Sequence, residues 1–286
     1  LAPGPYDYID CCGVLHHLPD PDAGLAVLKQ ALAPDGGMGL MVYGSYGRAG
    51  VYPLQAALRQ LTGDLSPGEK LSLAKTLLAE LPETNEFRRN PFLGDHKLGD
   101  AEFYDLLLHA QDRAYTVPEL AGFIAGAGLS IAAFIEPCRY DPLSYLKDAA
   151  LRERAAALPP LEQAALAERL SGAIKTHVIY AVPAARAQQA VARPAPDLAP
   201  WLNGVPPKAL AETLQKRGEL AISFQNERLV FAAPPRAAEI VALIDGRRSL
   251  AEIARILHQD WDDFLILYQP VHRLLTGINK LYLRQA

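Results

Sequence analysis

YDYIDCCGVLHHLPDPDAGLAVLKQALAPDGGMGLMVYG, residues 6–44, decides the fold. PYDYID at 5–10 reads as a short buried strand. PDPDAGLAVLKQALAP then places Leu25, Leu28 and Leu32 at helical spacing ahead of a turn, Pro34-Asp35-Gly36-Gly37. GMGLMVYG at 37–44 is the next strand. Strand, helix of about 10 residues and strand form the unit of a parallel α/β sheet, with the helix confined to one face by the right-handed crossover rule. Ligands in such sheets lie beyond the carboxyl ends of the strands, which directs attention to the residues following each strand.

Downstream, residues 51–81 are helical by pattern, and the second segment starts with Ser66 as N-cap, Pro67 at the first position and Glu69 three residues after the cap. Glu83 to Gly99, with Pro91, Gly94 and Gly99, reads as a long connection of the kind that often forms a lid. A helix around Glu102–His109 is followed by a second capping box, Thr116 to Glu119, with Leu120, Phe123, Ile124 and Ala127 on one face and Gly128 as its stop. Residues 129–135 are a strand candidate, 143–157 and 160–172 are helical, and THVIYAVP at 176–183 is the last strand of this region.

The Ala/Pro/Gln-rich stretch 184–200 reads as a linker, which divides the chain into 1–183 and 201–286. The tail offers strands at 219–224 and 228–232 joined by a Gln225-Asn226 turn, helices at 235–243, 249–258 and 262–276, and a terminal strand LYLR. Ser249 to Glu252 is a third capping box, with Leu250, Ile253, Ile256 and Leu257 as the apolar face.

Composition sets broad limits. Of 286 residues, 50% are hydrophobic and 21% charged, which suits a globular protein and excludes disordered and fibrous classes. No apolar run reaches membrane-spanning length, and the opening LAPGPYDYID lacks the pattern of a signal peptide, so a cytoplasmic location is expected. Cys11, Cys12 and Cys138 are an odd set, with the first two on opposite faces of a strand, and are expected to be reduced. Residues 201–286 carry 11 Lys and Arg against 9 Asp and Glu, too even a balance to announce nucleic-acid binding.

The stretch 6–44 resembles the region from the fourth to the fifth strand of class I, Rossmann-like, S-adenosylmethionine-dependent methyltransferases. In that family a D-x-(I/V) strand leads to a V-L-H-H-L-x-D loop, a helix and a P-G-G strand. The resemblance implies a partial Rossmann-like sheet with helical insertions, closed by 129–135 paired with 176–183. It also implies S-adenosylmethionine as cofactor and a small molecule, peptide or protein as methyl acceptor. The family's glycine-rich turn after its first strand, and the acidic residue ending its second, have no counterpart here, so the chain is expected to be a fragment that is inactive alone. LIDGRRSLAEIARIL, residues 243–257, resembles the PqqD-like and winged-helix group, which implies a small α+β carboxyl-terminal domain serving peptide or substrate recognition.

By the same resemblance, Cys12, Gly13 and Val14 line the methionine and ribose side of the cofactor; glycine at 13 also lets the backbone approach a ligand. A plain strand-to-loop turn is the alternative. His17 is the catalytic candidate, as a base or acceptor-orienting group, against ordinary packing. No metal is expected, because adjacent histidines diverge and no Cys, His or Asp partner sits at ligand spacing. Tyr43, Tyr46, Arg48 and Tyr52 follow the second strand and offer aromatic walls with one cation for an anionic or planar acceptor, or else cover the sheet edge. His109 and Arg113 are further acceptor-side candidates, with Asp112 and Arg113 expected to pair as a loop tether. Methyl transfer from a sulfonium is a direct displacement that chiefly needs alignment, so no single catalytic residue need stand out.

Two other readings compete. One is a non-catalytic methyltransferase-like sensor fused to a winged-helix DNA-binding module, although helix 249–258 offers only Arg255 and His258. The other makes the tail a homodimer interface through Trp261, Phe264, Leu267 and Tyr268, which serve equally as its own core.

Overall fold

The computed structural model describes residues 4–224 and 227–286, and the expected Gln225-Asn226 turn lies outside them. The chain forms two compact units, 1–131 with 171–184, and 132–170 with 185–286. Among the described residues no helix is long and apolar enough to cross a membrane.

In the first unit, β1 (Tyr6–Cys12), α1 (Pro21–Ala31) and β2 (Leu32–Gly44) make the expected crossover, with β1 and β2 parallel. Asp20 caps α1 by accepting from Ala23 N at 2.9 Å, and Leu25 is fully buried. Two expectations are corrected here. β1 is an edge strand in which no residue is fully buried, since only β2 pairs with it among the described residues. The Pro34-Asp35-Gly36-Gly37 turn is absorbed into β2 as a bulge: Tyr6 pairs with Leu32 but Tyr8 with Gly37, so the extra residues loop out without ending the strand.

β2 is the axis of the sheet. β5 (Thr176–Pro183) runs antiparallel along its other edge, from Met38 opposite Ala181 to Tyr43 opposite Thr176, and β4 (Leu129–Phe134) lies beyond β5. A two-residue strand, β3 (Ala114–Tyr115), adds parallel to the carboxyl end of β2 at Tyr43 and Gly44. It leads into α6 (Val117–Gly126), started by the expected Thr116–Glu119 box and stopped before Gly128, where φ is +71°.

Between β2 and β3 lie α2 (Val51–Thr62), α3 (Pro67–Glu80), α4 (Glu86–Arg89) and α5 (Asp100–Leu108). Val51, Leu54, Leu58, Ala74, Phe87, Phe103 and Leu107 give these helices a core of their own. The stretch 83–99 is therefore not a free lid. Phe87 and Leu93 are buried in that core, and Asn90 Nδ2 donates to the carbonyls of Gly47 and Ala49 at 3.2 and 3.0 Å.

The second unit holds α7 (Ala149–Ala156) and α8 (Pro160–Ser171), α7 starting later than expected because 142–148 forms a 3-10 turn and a loop capped by Asp148. Beyond residue 184 come β6 (Leu198–Leu202), α9 (Pro207–Arg217), β7 (Glu219–Phe224), β8 (Glu227–Ala232), α10 (Ala237–Ala242), α11 (Leu250–Ile256), α12 (Trp261–Gly277) and β9 (Leu281–Gln285). Sequence patterning misses α9 and β6. Residues 198–200, read as linker, pair with the terminal strand β9. Phe264 and Tyr268 are fully buried among Ile240, Val241, Leu250, Ile253 and Val271, with Trp261 and Leu267 packed against that core. The 243–257 string folds as its residue types dictate: Asp245 Oδ1 accepts from Arg247 N and Arg248 N at 2.9 Å each, Gly246 has φ +75°, and Ser249 caps α11.

Candidate functional site at the carboxyl ends of β1 and β2

β1 and β2 end side by side, Cys12 opposite Met41. Gly13 turns the chain at φ +75° and donates to Met41 O at 3.2 Å, so the exit from β1 stays tied to β2. A 3-10 turn, Leu15–His17, follows. The exit from β2 is held more tightly. Gly44 N donates to Lys175 O at 2.7 Å and Gly47 N to Ile174 O at 3.1 Å, and a Cβ on Gly47 would overlap the backbone of both partners.

Because β3 adds at the end of β2, the segment 109–113 before it is delivered to the same mouth. Arg113 N donates to His16 O at 3.1 Å. Gln111 ties two rings at once: its carbonyl accepts from His17 Nδ1 at 3.0 Å, and its N–H donates to His109 Nδ1 at 3.2 Å. The His17 and His109 ring centroids are 4.2 Å apart. Tyr43 lies edge-on to His17 at 5.5 Å and against His16 at 3.9 Å, and its hydroxyl donates to Asp105 Oδ2 at 3.4 Å.

Beneath this surface is a buried polar network. Arg48 Nη2 meets Asp112 Oδ2 at 2.7 Å, with side-chain exposures of 4% and 0%. Arg48 Nε donates to Tyr52 Oη at 3.1 Å, and its guanidinium lies 3.7 Å from the centre of the Tyr43 ring. Gln55 Nε2 donates to Asp112 Oδ2 at 3.1 Å and to Leu106 O at 2.9 Å. The expected Asp112–Arg113 tether is thus replaced. Asp112 turns inward to the buried guanidinium, where a carboxylate is needed, and Arg113 lies over the Tyr115 ring at 4.6 Å.

Electrostatics follow burial. Desolvation pushes the His16 imidazole down to about 4, aided by the neighbouring His17 and Arg48. The same cause pushes the Tyr43 hydroxyl up to about 12 and that of Tyr52 well up. Arg48 is held above its ordinary value, burial opposing the charge while Tyr52 and Asp112 favour it. Partial burial and a hydrogen bond from Cys12 Sγ to Asp10 Oδ1 at 3.0 Å raise the Cys12 thiol to about 11.

Of the residues singled out from sequence, the fold gathers His17, Tyr43, His109, Arg48 and Tyr52 into one cluster. Cys12 and Gly13 stand on the adjoining β1 exit, where Val14 is 48% exposed. Tyr46 lies in the 3-10 turn after β2 and is exposed. Sequence reasoning offers His16 beside His17 as a metal ligand, a base or a loop residue, and passes over Gln55, Asp105 and Gln111. Asp105 and His109 carry a legible signal, the four-residue spacing that stacks side chains on one helical face; Gln111 carries none, because it acts through its backbone.

No family model matches the chain. The fold is similar to that of PKMT2 from Rickettsia typhi. The superposition covers 98% of this chain and 58% of that protein, with a TM-score of 0.55 and 13% identity. The structure of PKMT2 in complex with AdoHcy matches equally, at 0.55 and 14% identity over 99% of this chain and 59% of that one. At these identities the likeness is one of fold. In sequence, an uncharacterized protein of Synechococcus is 35% identical over 146 residues, 49% of this chain and 34% of that relative. The chain therefore spans about a third of the length of this curated relative and less than two thirds of the PKMT2 structures.

Proposed function

We propose that this chain is the downstream part of an S-adenosylmethionine-dependent methyltransferase. The observation that carries the reading is the parallel β1–β2 pair with its carboxyl ends open at a glycine turn, in a fold similar to that of a protein whose structure holds AdoHcy, the methyl donor's by-product. In this reading Cys12, Gly13 and Val14 border the cofactor, Gly13 allowing its close approach. His17 orients the acceptor together with His109, Tyr43 and Tyr46, and Arg113 stands at the rim.

Arg48 and Tyr52 act from below. Their polar atoms are engaged with Asp112 and with each other, so they fix Tyr43 and the 109–113 segment and do not contact the acceptor themselves. This arrangement suits a displacement that depends on alignment and exclusion of water.

The second unit, with its separate core and an open cleft of about 520 Å³ lined by Lys208, Glu212, Gln215, Arg236 and Glu239, is assigned to recognition of a peptide or protein acceptor. In a version extended upstream, filling it by Ala238→Trp should reduce transfer of labelled methyl groups to lysate proteins without changing AdoHcy affinity. Unchanged labelling removes that assignment.

The primary test is calorimetric titration of AdoHcy into this chain and into a version extended upstream. Binding by the extended version supports a cofactor-dependent enzyme; binding by neither supports the non-catalytic sensor instead.

A further inference from the structure

His17, Asp105 and His109 each bring one potential ligand atom within 4.8 Å of the other two. The three come from two directions. His17 follows β1, while Asp105 and His109 stand one helical turn apart at the end of α5. Along the chain no further ligand stands near His17; the fold supplies the carboxylate of Asp105 and the imidazole of His109.

Supporting contacts are already in place. The Gln111 carbonyl can only accept, so His17 Nδ1 carries the proton and Nε2 keeps its lone pair, the tautomer and anchoring common to metal-bound histidines. Tyr43 donates to Asp105 and steadies the carboxylate. The bond from Gln111 N–H to His109 Nδ1, at 3.2 Å, is the longer of the two ring tethers and the one a metal would displace. His16 provides an independent sign. It is 1% exposed, both its ring nitrogens lack a hydrogen-bond partner among the described residues, and its ring lies 4.2 Å from that of His17. A buried polar group left so is rare, and this one walls the cluster.

We propose that His17, Asp105 and His109 bind one divalent transition-metal ion of the zinc class. Two imidazoles and one carboxylate suit zinc and its neighbours and are ill-suited to magnesium or calcium, which take oxygen ligands. Bonds of about 2.0–2.2 Å require donor atoms roughly 3.4 Å apart, so the side chains must close by about an ångström. Asp105 is exposed and His109 half-buried, and both have room to turn. Three protein ligands leave a fourth position for water or for an oxygen or sulfur atom of a ligand in the mouth. The inference goes beyond the methyl-transfer reading and does not depend on it.

The test is titration of zinc into the metal-stripped full chain by calorimetry, with cobalt absorption as a second readout of tetrahedral geometry. One equivalent should bind, and Asp105→Asn and His109→Ala should each weaken binding by at least about tenfold. Zinc should also shift the ring resonances of His17 and His109 in the unaltered chain while leaving those of His258 and His272, which keeps the test valid where a variant misfolds. No binding at about a hundred micromolar zinc, or resonance shifts confined to other histidines, overturns the proposal. Neither readout involves AdoHcy, so failure here and failure of the methyltransferase reading are distinguishable.

Discussion

Arg48 and Asp112 form a buried ion pair at 2.7 Å that joins the exit of β2 to the segment leading into β3. Sequence separation conceals the pair, and burial makes it asymmetric in energy: each charge is tolerable only beside the other. Asp112→Ala leaves a buried guanidinium without its carboxylate and should destabilise the chain by about 3–5 kcal/mol. Replacing both together, Arg48→Met with Asp112→Leu, should recover much of the loss. Urea denaturation of the two variants checks this, and equal destabilisation by both contradicts the account.

The path of the loop after β2 depends on Gly47. A methyl group there meets the backbone of Ile174 and Lys175, which cannot rotate away as a side chain would. Gly47→Ala should therefore cost about 1–3 kcal/mol and disturb the Arg48 contacts. Gly68→Ala, at a helical position with open space around the added methyl, serves as the control and should be neutral or stabilising.

His16 makes stability depend on pH. Its folded-state value of about 4 lies below the ordinary 6.5, so the unfolded chain binds the proton more readily between them. Stability is complete above pH 6.5 and is lost as pH falls toward 4, by up to about 3 kcal/mol. The groups that set the shift beside burial are His17, Arg48, Asp105 and His109. His16→Leu should flatten the pH profile by that amount and, since it removes unpaired buried nitrogens, should not destabilise at pH 7.5. Parallel profiles for the two proteins refute the assignment.

Cys12 is exposed yet should react slowly. With its thiol raised to about 11, roughly one molecule in a thousand is thiolate at pH 8, and the thiolate is the nucleophile. Asp10→Asn removes the carboxylate that accepts the thiol proton and should speed alkylation by iodoacetamide. Mass spectrometry of the Cys12 peptide measures the rate; alkylation as fast as that of free cysteine would count against the geometry of the β1 exit.

What could be read from residues 6–44 was their alternation of strand and helix, because apolar period and capping residues act locally. Thr116–Glu119 and Ser249–Glu252 boxes fell where their spacing put them. Errors arose where a distant partner decided. Pro34-Asp35-Gly36-Gly37 has turn chemistry, but β1 pairing on either side keeps it within β2. Residues 198–200 have linker composition, yet the last strand of the chain pairs with them. In the candidate site, His17, Tyr43 and His109 were visible as residue types beyond strand and helix ends, whereas the Asp112 partnership was misassigned to its neighbour in sequence.

The sequence by itself determined the β1–α1–β2 crossover, the starts of the capped helices α3, α6 and α11 and the strand ends after which the candidate residues stand, since these follow from periodicity, caps and the direction of parallel strands. Only the tertiary structure decided which groups meet there. A two-residue strand, β3, carries His109 to His17 and Asp112 to Arg48 across more than sixty residues of chain. Such pairings are fixed by sheet hydrogen bonds and by the cost of leaving a buried charge alone, and neither is written in local spacing.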